Sequence, residues 1–271
     1  MEVGLRPKSP IVAISFVIAM LTLLGLWTVS DPSRLGDHGV LNSADFIAAS
    51  VCHRIPTHGF TLFGRPLPLC ARCSGIYTGI MLALTMIFIS GRGYYAAFPK
   101  RNQSIVLLGL IAWMGFDGLN ALAFDLGLFH FYTPNLILRL LTGLGTGLAV
   151  GIFVHTVFTQ TVWRHVEWQP TVRNWRELVS LLLLAALTSL LILSNQSTIL
   201  FVLAIISTVG VLAILGMLYT VLVLVLLRRE AFGVASWHVI PPYAAGLLIA
   251  VAQIMLMTTL RYNLTGSLVG F

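Results

Sequence analysis

Residues 199–227 run from Ile199 to Leu227 without one charged side chain. No soluble fold tolerates such a segment on its surface. A helix of roughly 20 apolar residues crosses a hydrocarbon core about 30 Å thick, and a helix satisfies its own backbone polar groups there. Seven stretches have the required length and apolarity, near residues 11–29, 74–90, 104–124, 136–160, 178–194, 199–227 and 238–258. The whole chain agrees, at 58% hydrophobic and 9% charged, where an ordinary soluble domain is about a quarter charged. The sequence therefore predicts an all-α, polytopic transmembrane helical bundle of about seven spans in a lipid bilayer. The first apolar run follows Arg6 and Lys8 as a signal peptide would. Its end, "LWTVSDPS", lacks a small-residue cleavage site, so it reads as a retained anchor helix.

The net charge of +7 is not a nucleic-acid footprint, because no run of Lys and Arg is interleaved with aromatics. In a membrane protein basic residues report topology. Of sixteen Lys and Arg, an inward N-terminus puts ten on the inner side: Arg6, Lys8, Arg92, Lys100, Arg101, Arg164, Arg173, Arg176, Arg228 and Arg229. Five fall outside (Arg34, Arg54, Arg65, Arg72 and Arg261), and Arg139 lies within a span. The bias predicts the N-terminus in and the C-terminus out. Trp163, Trp168 and Trp175 flank a span and read as interfacial anchors. Gln253, a lone polar residue near mid-span, calls for a hydrogen bond to a neighbouring helix.

Polar residues inside spans are costly and face the bundle interior, water or a partner. Asp117 and Asn120, three apart, share one helix face. Asn135 and Arg139 are four apart, and Gly143, Gly147 and Gly151 continue their stripe. Small residues at that spacing admit a close neighbour, so Arg139 is expected to point inward, with Asp117 as its counter-charge. Asp117 and Arg139 are the candidate catalytic residues, as base and anion binder. Asn120, Asn135, Thr142 and Arg72 are the candidate substrate-binding residues, with Arg54 and Arg65 adding positive charge.

All three cysteines sit in "CHRIPTHGFTLFGRPLPLCARCSGIY", residues 52–77, at the outer level of the same bundle. Cys70 and Cys73 make a C-x-x-C, the usual half-site of tetrahedral zinc. Cys52 and His53 complete the candidate metal set. Adjacent ligands strain the backbone, so His58 or His130 are alternatives to His53. A disulfide from Cys52 is a second reading. Thiol exchange is a third, since Arg72 and a helix start both favour thiolates.

The strings "CHRIP", "LPLCARCSGIYTG", "DGLN" and N-x-x-x-R-x-x-T-G resemble the prokaryotic membrane proteins grouped as domain of unknown function 2085. The matching residues include Cys52, His53, Pro56, Cys70, Arg72, Cys73, Gly75, Tyr77, Gly79, Asp117, Gly118, Asn135, Arg139, Thr142 and Gly143. Ser74 replaces the usual Thr, Leu69 the usual Val, and Arg54 an expected Gln. The resemblance covers about residues 50–150 and implies a multi-pass protein of the prokaryotic cytoplasmic membrane, without naming a reaction. The expected organisation is an anchor helix and outer loop (1–49), a core with the Cys/His loop and three spans (50–160), and three further spans (161–271). The leading expectation is a site organised by a Cys/His metal cluster, with zinc the candidate ion, that acts on a lipid-linked or other anionic substrate. A transporter or channel component using Asp117 and Arg139 is one alternative. An assembly protein with a stapled loop is another.

Overall fold

The computed structural model describes residues 39–231, 233–234 and 236–268. The first predicted span, residues 11–29, lies outside them. Six long apolar helices account for the other six spans: α2 (Ala71–Ile89), α3 (Arg101–Asp125), α4 (Leu136–Val162), α5 (Trp175–Leu193), α6 (Ser197–Leu226) and α7 (Ile240–Thr265). A short helix, α1 (Gly39–Ala49), precedes them where an outer loop was expected. The chain is an all-α polytopic bundle.

Local chemistry sets the helix ends. Asn135 caps α4, its Oδ1 accepting from the Leu138 amide at 2.7 Å. Two prolines open α7 in the first turn, where a missing N–H costs nothing, and Gly266 closes it in the left-handed region at φ 68°.

The tightest contact in the bundle is α2 against α4. Gly75 and Gly79 on α2 meet Gly143 and Gly147 on α4 backbone to backbone, and Gly151 continues the seam against Ile80 and the Ala83 methyl. In lipid, hydrophobic burial does not drive helices together, and close approach of small residues takes its place. The glycine stripe therefore acts in packing, as its spacing predicts. Helices α4 and α6 are buried around much of their circumference, whereas α3 turns Ile105, Leu108, Trp113, Leu119 and Leu122 outward. A face that apolar suits an acyl environment and would be an aggregation surface in water. The Tyr219 hydroxyl donates to Gln253 Oε1 at 2.5 Å, joining α6 to α7 at the lone mid-span amide.

Two pieces of strand were not expected. Ahead of α2, β1 (Thr61–Leu62) and β2 (Arg65–Pro66) form a tight antiparallel hairpin. Its tip, Phe63–Gly64, has both φ angles positive, which suits the twist of a two-residue turn. At the other end of the bundle, β3 (Tyr95–Ala97) and β4 (Glu167–Pro170) pair in parallel and tie two connections together. The same end buries Trp163 against Tyr94, with ring centroids 4.8 Å apart. Trp163 is thus a packing residue and not the interfacial anchor its position suggested. Trp168 and Trp175 are exposed as expected.

Candidate functional site

Cysteines, charged groups and loop ends gather at one end of the bundle, where α1, α4 and α7 meet the start of α2 and the last turns of α3. Cys70 is the N-cap of α2, with extended backbone, and Cys73 is three residues on. Those two positions lie side by side at any helix start, which is why capping boxes pair them. The C-x-x-C spacing therefore aims both sulfurs the same way. Cys52 reaches them from the end of α1, where its amide donates to the Ala48 carbonyl at 2.9 Å. The three Sγ atoms lie within 4.8 Å of one another, and Cys52 and Cys70 are buried.

This donor set fits a zinc ion. Zn–S bonds of about 2.3 Å at tetrahedral angles separate sulfurs by about 3.8 Å, so the side chains need draw in by no more than about 1 Å. The environment already favours a thiolate. The Cys70 amide donates to Cys52 Sγ at 3.4 Å. Hydrogen bonds from the Cys70 and Cys73 thiols pull the Cys52 thiol far below its usual 9.0. Cys70, which donates to Cys52, is pushed up to about 11.

His53 is not brought to the triad. Its ring turns to His58, with Nε2 and Nδ1 3.5 Å apart, while its carbonyl accepts from Arg261 at 2.6 Å. The next residue, Arg54, is left-handed at φ 55°, so the chain reverses directly after the Cys–His pair. His58 stands 3.7 Å from Asp125. Burial and the nearby Arg139 guanidinium hold its imidazole below the usual 6.5.

The carboxylate partners differ from the sequence expectation. Asp117 is fully buried and takes its ion pair from Arg72, not from Arg139. Arg72 is the second residue of α2, about 100° around the helix from Cys73, and so points across to α3 while the cysteines point to α1. The Tyr132 hydroxyl donates to the other Asp117 oxygen at 2.7 Å. Burial, together with that carboxylate, pushes the Tyr132 phenol up to about 12 and keeps it a donor. Asn120 is spent on the loop after α3. Its Oδ1 accepts from the Phe131 amide at 2.7 Å, and its Nδ2 donates to the Tyr132 carbonyl at 2.9 Å. Asn135 caps α4, and the Thr142 hydroxyl donates to the Leu138 carbonyl at 2.8 Å. The polar groups of these residues are turned to the protein itself.

Arg54 and Arg65 are likewise engaged within the protein. Both are ion-paired to Asp45 on α1, and Arg65 also donates to Asn42 Oδ1 at 2.9 Å. Asp45 escaped the sequence reading because a short helix before the loop carried no span-like signal. Arg261 escaped it too. Its guanidinium donates to the carbonyls of Ala49, Cys52 and His53 at 3.1, 2.5 and 2.6 Å, bolting the end of α7 to the cysteine loop.

One cation is left over. Arg139 is 6% exposed, and among the described residues its guanidinium has neither an ion pair nor a hydrogen bond. Arg139 lies one turn before Gly143, which packs against the Arg72 backbone at the start of α2, so it belongs to the same end of the bundle as the cysteines.

Residues 52–153 match the family model described as "Predicted membrane protein (DUF2085)". An uncharacterised protein of Methanocaldococcus jannaschii is 30% identical over 114 residues, which cover 42% of this chain and 67% of that protein. An uncharacterised protein of Methanothermobacter thermautotrophicus is 31% identical over 102 residues, 38% of this chain and 82% of that one. No solved structure matches. The matched stretch opens on Cys52 and carries the other two cysteines, Arg72, Asp117, Tyr132 and Arg139, while Asp45 and Arg261 lie outside it. With the helices and the cysteine end accounted for together, the chain belongs to the DUF2085 family of predicted membrane proteins.

Proposed function

We propose that this multi-pass membrane protein holds a zinc ion on Cys52, Cys70 and Cys73, and that Arg139 beside it receives an anionic group of a lipid-linked substrate. The observation that carries the reading is three sulfurs within 4.8 Å at one end of the bundle, and at that same end an arginine within a span whose guanidinium has no partner among the described residues. An unpaired charge within a span faces water, the bundle interior or a partner, and Arg fits phosphate or carboxylate with its planar fork. Asp117, held between Arg72 and Tyr132, positions Arg72 and fixes the loop through Tyr132. The rim is apolar, with Leu128, Phe129 and Phe131 exposed, which suits a substrate that arrives within the bilayer surface. A zinc ion with a fourth position open supplies a Lewis acid there.

The site faces away from the cytoplasm in this reading. Within the described residues eight basic side chains (Arg92, Lys100, Arg101, Arg164, Arg173, Arg176, Arg228 and Arg229) belong to the connections at the opposite end. Cytoplasmic loops carry that excess.

Metal content of the purified protein, with thiol counting before and after chelation, tests the first half. One zinc per chain and thiols that react only after chelation are expected. Metal-free protein with three reactive thiols would end the zinc reading. A second reading is a purely structural staple, favoured by the internal satisfaction of Asp117, Asn120, Asn135 and Thr142. Arg139→Met separates the two. It abolishes function with normal accumulation if Arg139 binds substrate, and changes nothing if the site only staples the loop.

A further inference from the structure

The opposite end of the bundle holds a second, unrelated feature. A cavity of about 340 Å³ opens between the starts of α3 and α5, lined by Lys100, Arg101, Asn102, Gln103, Arg173, Asn174 and Trp175. Three of these are cations, and no carboxylate is among them. The acid in the first turn of α5, Glu177, is already taken. Arg92 holds it with two hydrogen bonds of 2.7 and 2.8 Å, and the Arg173 amide donates to it at 2.8 Å. Arg173 is anchored through its guanidinium, which donates to the Tyr95 hydroxyl at 2.8 Å and lies 5.1 Å from that ring's centre. One cation is therefore pre-positioned. Lys100 and Arg101 are exposed and in no ion pair among the described residues.

Topology alone explains an excess of basic residues at this end. It does not explain why three of them close around one cavity from two separate connections, with the local acid neutralised by a fourth. Trp175, exposed at its edge, has the amphipathic ring that settles at headgroup depth. The amides at the starts of α3 and α5 add positive potential from two helices. We propose that this cavity binds the phosphate of an anionic phospholipid, in the way basic pockets between membrane helices take such headgroups.

The test uses the full chain in detergent, with phosphatidylglycerol or phosphatidylcholine added as mixed micelles and thermal unfolding as the readout. Phosphatidylglycerol should raise the unfolding temperature saturably, and phosphatidylcholine should not. Lys100→Gln/Arg101→Gln should raise the half-saturating concentration about tenfold or more, from two lost cationic contacts. Arg228→Gln/Arg229→Gln removes the same charge at the same end outside the cavity, and should leave that concentration unchanged. If the Lys100/Arg101 double variant does not accumulate, Arg101→Gln alone carries the test, since that side chain makes no hydrogen bond among the described residues. Equal effects of the two lipids, or equal losses in the two double variants, would overturn the proposal. So would full protection by inorganic phosphate alone, which would make the cavity a free-anion site.

Discussion

Replacing Gly75 by Ala tests whether the glycine seam sets both the bundle and the cysteine site. A Cβ there would stand 2.6 Å from the Leu140 carbonyl oxygen, 2.9 Å from the Leu144 nitrogen and 3.2 Å from the Gly143 carbonyl carbon. Carbon atoms in contact prefer about 3.5–4.0 Å, so α2 and α4 must part by roughly 0.8 Å. The obstacles are backbone atoms and cannot rotate aside. A gap of about 0.5–1 Å forfeits a quarter to a half of each dispersion contact, and overpacking of this kind costs about 1–3 kcal/mol. No hydrophobic term in lipid offsets it. Gly75 is two residues after Cys73, so the displacement reaches the sulfur triad, where metal distances tolerate only about 0.2 Å. Gly75→Ala should therefore unfold at lower SDS fraction in mixed micelles and hold metal more weakly. Gly109→Ala and Gly115→Ala are the controls. A Cβ at either meets nothing within 4 Å, and Ala in a helix interior is favoured over Gly by about 1 kcal/mol. If Gly75→Ala is as stable as Gly109→Ala, the close seam is not what holds α2 to α4, and the reasoning fails.

Three further outcomes follow from the charged groups. Asp117→Leu strands Arg72 and should cost about 3–5 kcal/mol, whereas Arg72→Met/Asp117→Leu should recover most of it; equal losses in the single and double variants would mean the pair is not coupled. Arg139→Met should leave unfolding within about 0.5 kcal/mol of wild type, because its guanidinium has no partner among the described residues to lose; a loss comparable to Asp117→Leu would show that Arg139 is a structural partner after all. His58 should titrate below 6.5 by NMR and rise toward it in Arg139→Gln. The folded pKa is the lower one, so the stability that neutral His58 contributes is complete above about pH 6.5 and is lost as pH falls through the depressed value. An unchanged His58 titration in Arg139→Gln would separate the two residues.

The spans were legible because apolar length is a property of single segments, and helices α2 to α7 needed nothing else. The glycine stripe at Gly143, Gly147 and Gly151 was legible too, since helical spacing alone puts those residues on one face. What spacing cannot supply is the azimuth of one helix against the next. Asp117 and Arg139 lie at similar depth on helices adjacent in sequence, so pairing them was the simplest inference. Arg72 wins because it occupies the position on α2 that turns toward α3 while its neighbours Cys70 and Cys73 turn toward α1.

The same limit hid the second layer of the cysteine end. Asp45 answers Arg54 and Arg65 from a helix too short to register as a span, and Arg261 reaches the loop from the far end of the chain. Each of these three arginines is consumed by a local acid or by carbonyls, as Arg72 is by Asp117. That leaves Arg139 as the cation at this end without a partner among the described residues. A fold that neutralises or hydrogen-bonds every neighbouring arginine and leaves one within a span without either is the observation behind the proposed anion site. The sequence set Arg139 apart as the arginine inside a span, with Arg72, Arg54 and Arg65 as supporting charge. Among these the packing leaves Arg139 without a partner in the described residues, and the proposed anion binding rests on it.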